Sequence, residues 1–174
     1  MLRRSWCRGL GLVAVLAPIL ALAPTSTAAA AAADDGAFIC YRAYIWGSGW
    51  QDWRCQGQTA GVPEDVLPIE ALDIMAWGLG GICVRIRHEV LGWDDRQCGA
   101  DGTKVTVGEP GGTRPIEAID FDVQSFNAQI CLKGQLVSYG WGGWACAYGA
   151  GIGAEESGFP LTAIRMNIDS AVFP

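Results

Sequence analysis

Residues 39–55 read ICYRAYIWGSGWQDWRC, and the skeleton of this stretch occurs three times in the chain. Each copy begins with Ile-Cys, places a Gly-Trp pair nine and ten residues after the cysteine, and adds a second cysteine five residues after the tryptophan. Recurrence of one spacing predicts three structural repeats, over residues 38–77, 81–123 and 129–168. The repeated positions are Cys40, Gly49, Trp50 and Cys55; Cys83, Gly92, Trp93 and Cys98; and Cys131, Gly140, Trp141 and Cys146.

The start of each repeat alternates between apolar and polar residues, which is typical of a strand with one buried face. In the first repeat, Ile39 and Ile45 belong to the apolar face, whereas Cys40 lies on the wetter face. We expect a two-residue hairpin turn at Gly47 and Ser48, because this turn places Cys40 opposite Cys55. In this register Arg42 lies opposite Trp53 and Lys133 opposite Trp144, as two cation–π pairs.

A second strand is predicted after a Gly-rich turn in each repeat. The turns lie at residues 57–61, 99–102 and 149–153, and the strands read PIEALDI (68–74), PIEAIDF (115–121) and PLTAIRM (160–166). No segment favours a helix. One repeat cannot bury its apolar face alone, whereas three repeats around an axis can. We therefore predict an all-β, closed pseudo-threefold domain, with a β-prism favoured and a β-trefoil as the alternative.

Residues 1–33 have the pattern of a signal peptide, with a basic start, a short apolar stretch and an alanine-rich end. The apolar stretch is too short to span a bilayer, and Arg3-Arg4 leaves twin-arginine export as an alternative. Residues 34–174 then form one secreted domain. This part holds nine Lys and Arg against eighteen Asp and Glu, and its acidity argues against nucleic acid and anionic membranes as partners.

Six cysteines remain after the signal peptide, two in each repeat. Six cysteines allow fifteen pairings, but the repeat favours pairing within each copy: Cys40–Cys55, Cys83–Cys98 and Cys131–Cys146. Zinc binding is the less favoured alternative, because the spacing within each pair does not fit a zinc knuckle and His88 is the single histidine. We expect no metal and no cofactor.

The Gly-Trp pairs, the alternating strand, the Gly-rich turn and the Ile-Glu-Ala strand together resemble the hydrophobic-with-conserved-tryptophan (ChW) repeats of Gram-positive bacteria. The resemblance covers roughly residues 38–168. It implies a secreted or surface-exposed binding module, associated with glycan, cell-wall or protein adhesion, without established catalytic residues. Two features depart from the family: the paired cysteines are an addition, and Thr162 replaces the acid of Ile-Glu-Ala in the third repeat.

The candidate ligand-binding residues are aromatic and acidic side chains near the hairpins. For the tryptophans of the Gly-Trp pairs we favour core packing over ligand contact, because the predicted register gives them the inward phase of Ile45. Glu70 and Glu117 are expected to be buried with a backbone or arginine partner, and His88 to be a tolerated edge residue. The candidates are Trp53, Trp144, Trp50, Trp93, Trp141, Asp52 and Asp95.

These observations favour a secreted, non-catalytic and monomeric binding module that binds a glycan or cell-wall polymer through up to three related sites. The alternative is a protein-interaction or inhibitor scaffold that presents the irregular loop 101–114 to a partner protein. A carboxylate-based glycoside hydrolase is the remote alternative. No catalytic residue is assigned, because the chain has no free cysteine, no second histidine and no Gly-x-Ser-x-Gly sequence.

Overall fold

The computed structural model describes residues 36–63, 66–123, 128–147, 149–153 and 158–169. The predicted signal peptide lies outside the described residues. Within these ranges the chain forms strands and turns and no helix, as the sequence predicts. Each repeat contributes five strands. They are β1 (Phe38–Ile45), β2 (Gly49–Trp50), β3 (Arg54–Cys55), β4 (Ala60–Gly61) and β5 (Ile69–Trp77); β6 (Ile82–His88), β7 (Gly92–Trp93), β8 (Gln97–Gly99), β9 (Val105–Gly108) and β10 (Ala118–Val123); β11 (Gln129–Leu136), β12 (Gly140–Trp141), β13 (Ala145–Ala147), β14 (Gly149–Gly153) and β15 (Leu161–Asp169).

The strands form three antiparallel, open sheets that are related by the repeat. In each sheet the first strand of a repeat pairs with the two short strands of its own hairpin on one side and with the long fifth strand on the other. The fourth strand always joins the sheet of another repeat: β9 pairs with β5, β14 with β10, and β4 with β15. The second and third repeats therefore each add one strand to the sheet of the preceding repeat, and the first repeat adds one strand to the sheet of the third.

The apolar faces of the three sheets meet in one core. Because alternate residues of a strand face opposite sides, the odd-numbered residues of β1 and the even-numbered residues of β6 and β11 line this core. The fifth strands β5, β10 and β15 contribute the six inner-face residues predicted from the sequence. All six are buried: Leu72, Ile74, Ile119, Phe121, Ile164 and Met166.

The hairpin turn differs from the prediction. Ile45 pairs with Gly49 and Tyr44 with Trp50, so the turn contains three residues, 46–48, rather than two. Gly49 takes a positive φ of 87°, which closes this longer turn. The chain then accommodates one further unpaired residue before β3, and Cys40 faces Cys55 as predicted. The three-residue turn places Trp50 opposite Tyr44, so Trp50 faces away from the core.

The predicted irregular loop 101–114 contains strand β9, so the loop assignment is wrong. Val105 and Val107 are buried in the core, which explains why this segment pairs with β5 instead of remaining exposed. Gly108 ends the strand where it passes close to β5: a Cβ at this position would overlap the carbonyl oxygen of Glu70. Two segments predicted as turns, 57–61 and 149–153, likewise contain the exchanged strands β4 and β14.

The three disulfides have the predicted pairing. The Cα atoms of Cys40 and Cys55 are 4.1 Å apart, and those of the other two pairs are 4.0 Å apart, as expected for cross-strand neighbours. Three disulfides indicate an oxidising environment, and they exclude these cysteines as zinc ligands. Among the described residues, no helix is long and apolar enough to cross a membrane.

Backbone hydrogen bonds connect the segments at or just before the start of the fifth strand of each repeat, β5, β10 and β15. The N–H of Ile116 donates to the carbonyl oxygen of Ile69 at 2.9 Å, and the N–H of Leu161 donates to that of Ile116 at 2.8 Å. The three residues occupy the same position in their repeats. The hairpin turns lie beside them, since Trp46 and Val137 donate backbone hydrogen bonds to the prolines just before Ile69 and Leu161. The turns of the first and third repeats therefore lie near one end of the domain.

Candidate functional site

A row of side chains crosses the outer face of each sheet, on the side away from the core. We call these outer rows 1, 2 and 3. Each contains a tryptophan of a Gly-Trp pair, the residue three positions later, and a cation on the first strand. Each also contains the fifth-strand residue opposite that cation, and the neighbour of this residue on the exchanged strand or, in row 3, directly before it. Row 1 is Trp50, Trp53, Arg42, Asp73 and Thr106; row 2 is Trp93, Arg96, Arg85, Asp120 and Gly151; row 3 is Trp141, Trp144, Lys133, Arg165 and Thr59.

Outer row 1 is centred on the buried carboxylate of Asp73. Arg42 donates to its Oδ2 from Nε at 3.0 Å and from Nη2 at 2.8 Å, and the Thr106 hydroxyl donates to Oδ1 at 2.6 Å. Burial alone would raise the pKa of Asp73. The hydrogen bonds from Thr106 and Arg42, together with the charge of Lys104, outweigh burial and lower this pKa below its usual value. Asp73 is therefore a fixed anion that holds Arg42 in place.

The cations of the rows lie against the indole rings. Cζ of Arg42 is 4.7 Å from the ring centroid of Trp50 and 5.0 Å from that of Trp53. Nζ of Lys133 lies 5.2 Å from the centroid of Trp144, so both predicted cation–π pairs are confirmed. The arrangement holds the indoles on the outer face, where one side of each ring packs on a cation.

Outer row 2 has an arginine where the other two rows have a second tryptophan. Arg85 and Arg96 both donate to Oδ2 of Asp120 at 2.7 Å, and Arg85 Cζ lies 4.6 Å from the centroid of Trp93. A cleft of about 230 Å³ lies beside these groups and is also lined by Gly151. Because Gly151 stands where row 1 has Thr106, the lack of a side chain leaves room for this cleft.

Outer row 3 differs in charge from the other two. Lys133 pairs in register with Arg165, where rows 1 and 2 have an aspartate. Arg165 donates from Nε to the Thr59 hydroxyl at 2.7 Å, and its Cζ is 4.7 Å from the centroid of Trp141. Trp144 is the most exposed tryptophan of the rows, with 47% of its surface accessible. The row thus combines two cations with an open indole.

All five predicted tryptophans lie in the outer rows, but the favoured assignment of three of them to the core is wrong. Trp50, Trp93 and Trp141 are half-buried on the outer faces, because the three-residue turn pairs Trp50 with Tyr44 rather than with Ile45. The equivalent hairpins have the same register.

The two acidic candidates fall outside the rows. Asp52 is exposed. Asp95 lines a separate cleft of about 380 Å³ together with Asp94 and Gln97. Within the described part of the chain, no three His, Cys, Asp or Glu side chains are placed to hold a metal ion.

Several row residues were not predicted from the sequence. The fifth-strand members Asp73, Asp120 and Arg165 stand at the same place in the three second-strand motifs, directly after Leu or Ile of the inner face. That shared position was the available signal. Thr59 and Thr106 had no such signal: Thr106 lies on an exchanged strand, and Thr59 directly precedes one, so each reaches the sheet of another repeat.

The buried glutamates have partners of the predicted kinds. Glu70 accepts a hydrogen bond from the N–H of Gly111 at 3.2 Å, and Glu117 forms an ion pair with Arg87. Burial raises the pKa of both carboxyls, and the Gly111 hydrogen bond and the Arg87 charge oppose that rise. The prediction of His88 as an edge residue is wrong, since His88 is buried and donates from Nδ1 to the carbonyl oxygen of Pro115 at 3.0 Å.

Comparison with known families gives one match. Residues 44–75 match the family model described as Clostridial hydrophobic W (ChW), which supports the resemblance for the first repeat. This segment contains Trp50, Trp53 and Asp73 of outer row 1. No curated protein and no solved structure matches the chain.

Proposed function

We propose that this protein is a secreted, non-catalytic, carbohydrate-binding module and that the outer rows are its binding sites. The observation that carries the proposal is the repetition of one arrangement, indole next to cation next to hydrogen-bonding side chain, on the outer faces of all three sheets. A glycan or cell-wall polymer with repeating units would meet related sites on each sheet.

The chemistry of the rows suits a sugar. The apolar face of a pyranose ring packs on an indole, and its hydroxyls exchange hydrogen bonds with guanidinium and carboxylate groups. In row 2 the cleft places Trp93, Arg85 and Asp120 around one volume of about 230 Å³. The ion pairs hold these groups in position before a ligand arrives, which lowers the entropy lost on binding. Weak single sites become effective when several act on one polymer.

We also propose that all three repeats are ChW repeats and that the sheets form a β-prism. The hydrogen bonds that connect Ile69, Ile116 and Leu161 support a pseudo-threefold axis at this point. The cyclic exchange of β4, β9 and β14 supports the same symmetry. Secretion is part of the proposal and agrees with the disulfides.

The test is a glycan array and a peptidoglycan pull-down with oxidised protein, residues 34–174. Trp144→Ala and Trp93→Ala should each weaken binding, because each removes an indole from a row. Trp46→Ala is the matched control: Trp46 is 56% exposed at a hairpin turn but lies outside the rows. This variant should bind as the wild type does. Absence of binding by the wild-type protein in both assays would overturn the proposal.

A protein-interaction module is the second candidate, and a specific observation favours it. Each hairpin turn presents an exposed apolar side chain, namely Trp46, Val90 with Leu91, and Tyr139. These turns replace loop 101–114 as the surface that would meet a partner. The same variants separate the two candidates. A partner protein that binds Trp144→Ala but no longer binds Trp46→Ala would indicate the hairpin turns as the binding surface.

A further inference from the structure

The three outer rows differ in charge at one equivalent pair of positions. At the centre of each sheet, a cation on the first strand stands directly opposite one residue of the fifth strand. The pairs are Arg42 with Asp73, Arg85 with Asp120, and Lys133 with Arg165. In rows 1 and 2 the aspartate accepts from the arginine at 2.8 Å and 2.7 Å. In row 3 two positive charges face each other, an arrangement that destabilises a sheet.

No carboxylate among the described residues forms a salt bridge with either Lys133 or Arg165. Both cations lie over the ring of Trp141, at 5.0 Å for Lys133 Nζ and 4.7 Å for Arg165 Cζ. The ring therefore holds them on one side of the sheet. The chain after residue 33 has an excess of acidic residues, so a cationic pair without a salt bridge to any described carboxylate contrasts with its overall charge.

Most hydrogen-bond donors of this pair have no acceptor among the described residues. The Thr59 hydroxyl oxygen accepts a hydrogen bond from the Nε–H of Arg165, and this is the one hydrogen bond of that guanidinium to a described residue. The terminal nitrogens of Arg165 and the ammonium of Lys133 can donate to two oxygens of one anion, as guanidinium groups do with carboxylates and phosphates. Such an anion would supply the negative charge that Asp73 and Asp120 supply in the other rows.

We propose that outer row 3 binds an anionic group, a carboxylate or a phosphate carried by a saccharide, between Lys133 and Arg165, with the sugar ring against Trp144. Rows 1 and 2 contain their own anion and accept neutral sugars, whereas row 3 takes its anion from the ligand. The saccharide part of this inference rests on the proposed function. The anion site itself follows from the charges of row 3.

The experiment titrates the oxidised domain with three probes: tri-galacturonic acid, the neutral trisaccharide of galactose, and inorganic phosphate. NMR signals of the Arg165 Nε–H and the Trp141 and Trp144 indole N–H groups locate binding. The acidic trisaccharide should bind at least about tenfold more tightly than the neutral one, as expected for charge-assisted hydrogen bonds. Raising the salt concentration should weaken it, because salt screens exposed charges.

Three variants complete the test. Arg165→Asp rebuilds the ion pair of the other two sheets, so the domain should fold and lose the preference for acid. Lys133→Gln should weaken anion binding while preserving the fold. Lys104→Gln removes the same charge from the first sheet and should leave acid binding unchanged. A thermal melt of each variant confirms folding.

Each outcome decides a separate point. Equal binding of acidic and neutral trisaccharides would overturn the anion site while leaving carbohydrate binding intact. Phosphate-induced shifts of the Trp141 indole N–H that Arg165→Asp abolishes, with no saccharide bound, would support the anion site and overturn the saccharide ligand. No response of the Arg165 Nε–H to phosphate or to the acidic trisaccharide in the wild type, or a shift of the Trp141 indole N–H that persists in Arg165→Asp, would overturn the inference.

Discussion

The hydroxyl oxygen of Tyr41 in β1 accepts a hydrogen bond from the backbone N–H of Met166 in β15 at 2.8 Å, across 125 residues of chain. The same hydroxyl donates to the carbonyl oxygen of Gln58, just before β4. Tyr41 is fully buried. One side chain of the first sheet thus satisfies two backbone groups at the place where β4 joins the third sheet.

Tyr41→Phe should lower the free energy of unfolding by about 2 kcal/mol or more, because two backbone groups lose a buried partner. Urea denaturation of the oxidised protein measures this. Tyr139→Phe is the control, since Tyr139 is 69% exposed. A Tyr41→Phe variant as stable as this control would show that the Tyr41 hydroxyl contributes nothing to the junction of the two sheets.

Alkaline pH should destabilise the domain through the same residue. Burial raises the pKa of Tyr41 from 10.0 to about 12, against the opposing effects of the Met166 hydrogen bond and the Arg165 charge. The folded protein therefore holds this proton more tightly than the unfolded chain does. The stabilisation is complete below pH 10 and is lost as the pH rises from 10 towards 12.

Absorbance at 295 nm should show one of the four tyrosines titrating late, at about pH 12. The variant Tyr41→Phe should lack this late step and should lose less stability between pH 10 and 12. Titration of all tyrosines near pH 10 would contradict the buried environment of Tyr41.

The indoles of the outer rows should contribute less to stability than core aromatics. Trp93→Ala removes a half-buried ring and one cation–π contact, so it should cost about 1–2 kcal/mol. Phe121→Ala, which empties a core position, should cost about 3–5 kcal/mol. Thermal melts under oxidising conditions compare the two. A larger loss for Trp93→Ala would restore the core assignment that the hairpin register argues against.

The exchanged strands should depend on the glycines at their ends. Gly108 has a φ of 84°, and a Cβ there would overlap the backbone of Glu70 and Ala71. Gly108→Ala should therefore cost about 1–3 kcal/mol from strain alone, and the overlap adds to this. Gly143→Ala is the control, because nothing lies within 4 Å of its Cβ position and its φ is ordinary. Equal stability of the two variants in urea denaturation would refute the close approach.

Each disulfide should contribute a similar stabilisation. The three pairs have the same sequence separation of 15, and a loop of this size is worth about 3 kcal/mol in the chain-entropy model. Replacing one cysteine pair at a time by alanine, followed by urea denaturation, measures the contribution. Peptide mapping of the non-reduced wild type should yield these three bridges, and a bridge between repeats would contradict the register of the hairpins.

Local patterning determined much of this protein from the sequence alone. The alternation of Ile39, Tyr41 and Ala43 identified both the strand and its buried face, because side chains of a strand alternate with period two. The repeated spacing of Cys40 and Cys55 identified the disulfides, since cross-strand partners are fixed once a hairpin forms. The tryptophans of the candidate sites were found by the same spacing.

Tertiary structure decided which side of the sheet those tryptophans occupy and which residues accompany them. A one-residue difference in turn length reverses the side on which a strand residue faces, and composition did not distinguish a turn at Gly47-Ser48 from one spanning 46–48. Thr106 contacts Asp73, and Thr59 contacts Arg165, from segments that belong to other repeats. Such pairings depend on how three sheets close around a shared core, which no local pattern within one repeat contains.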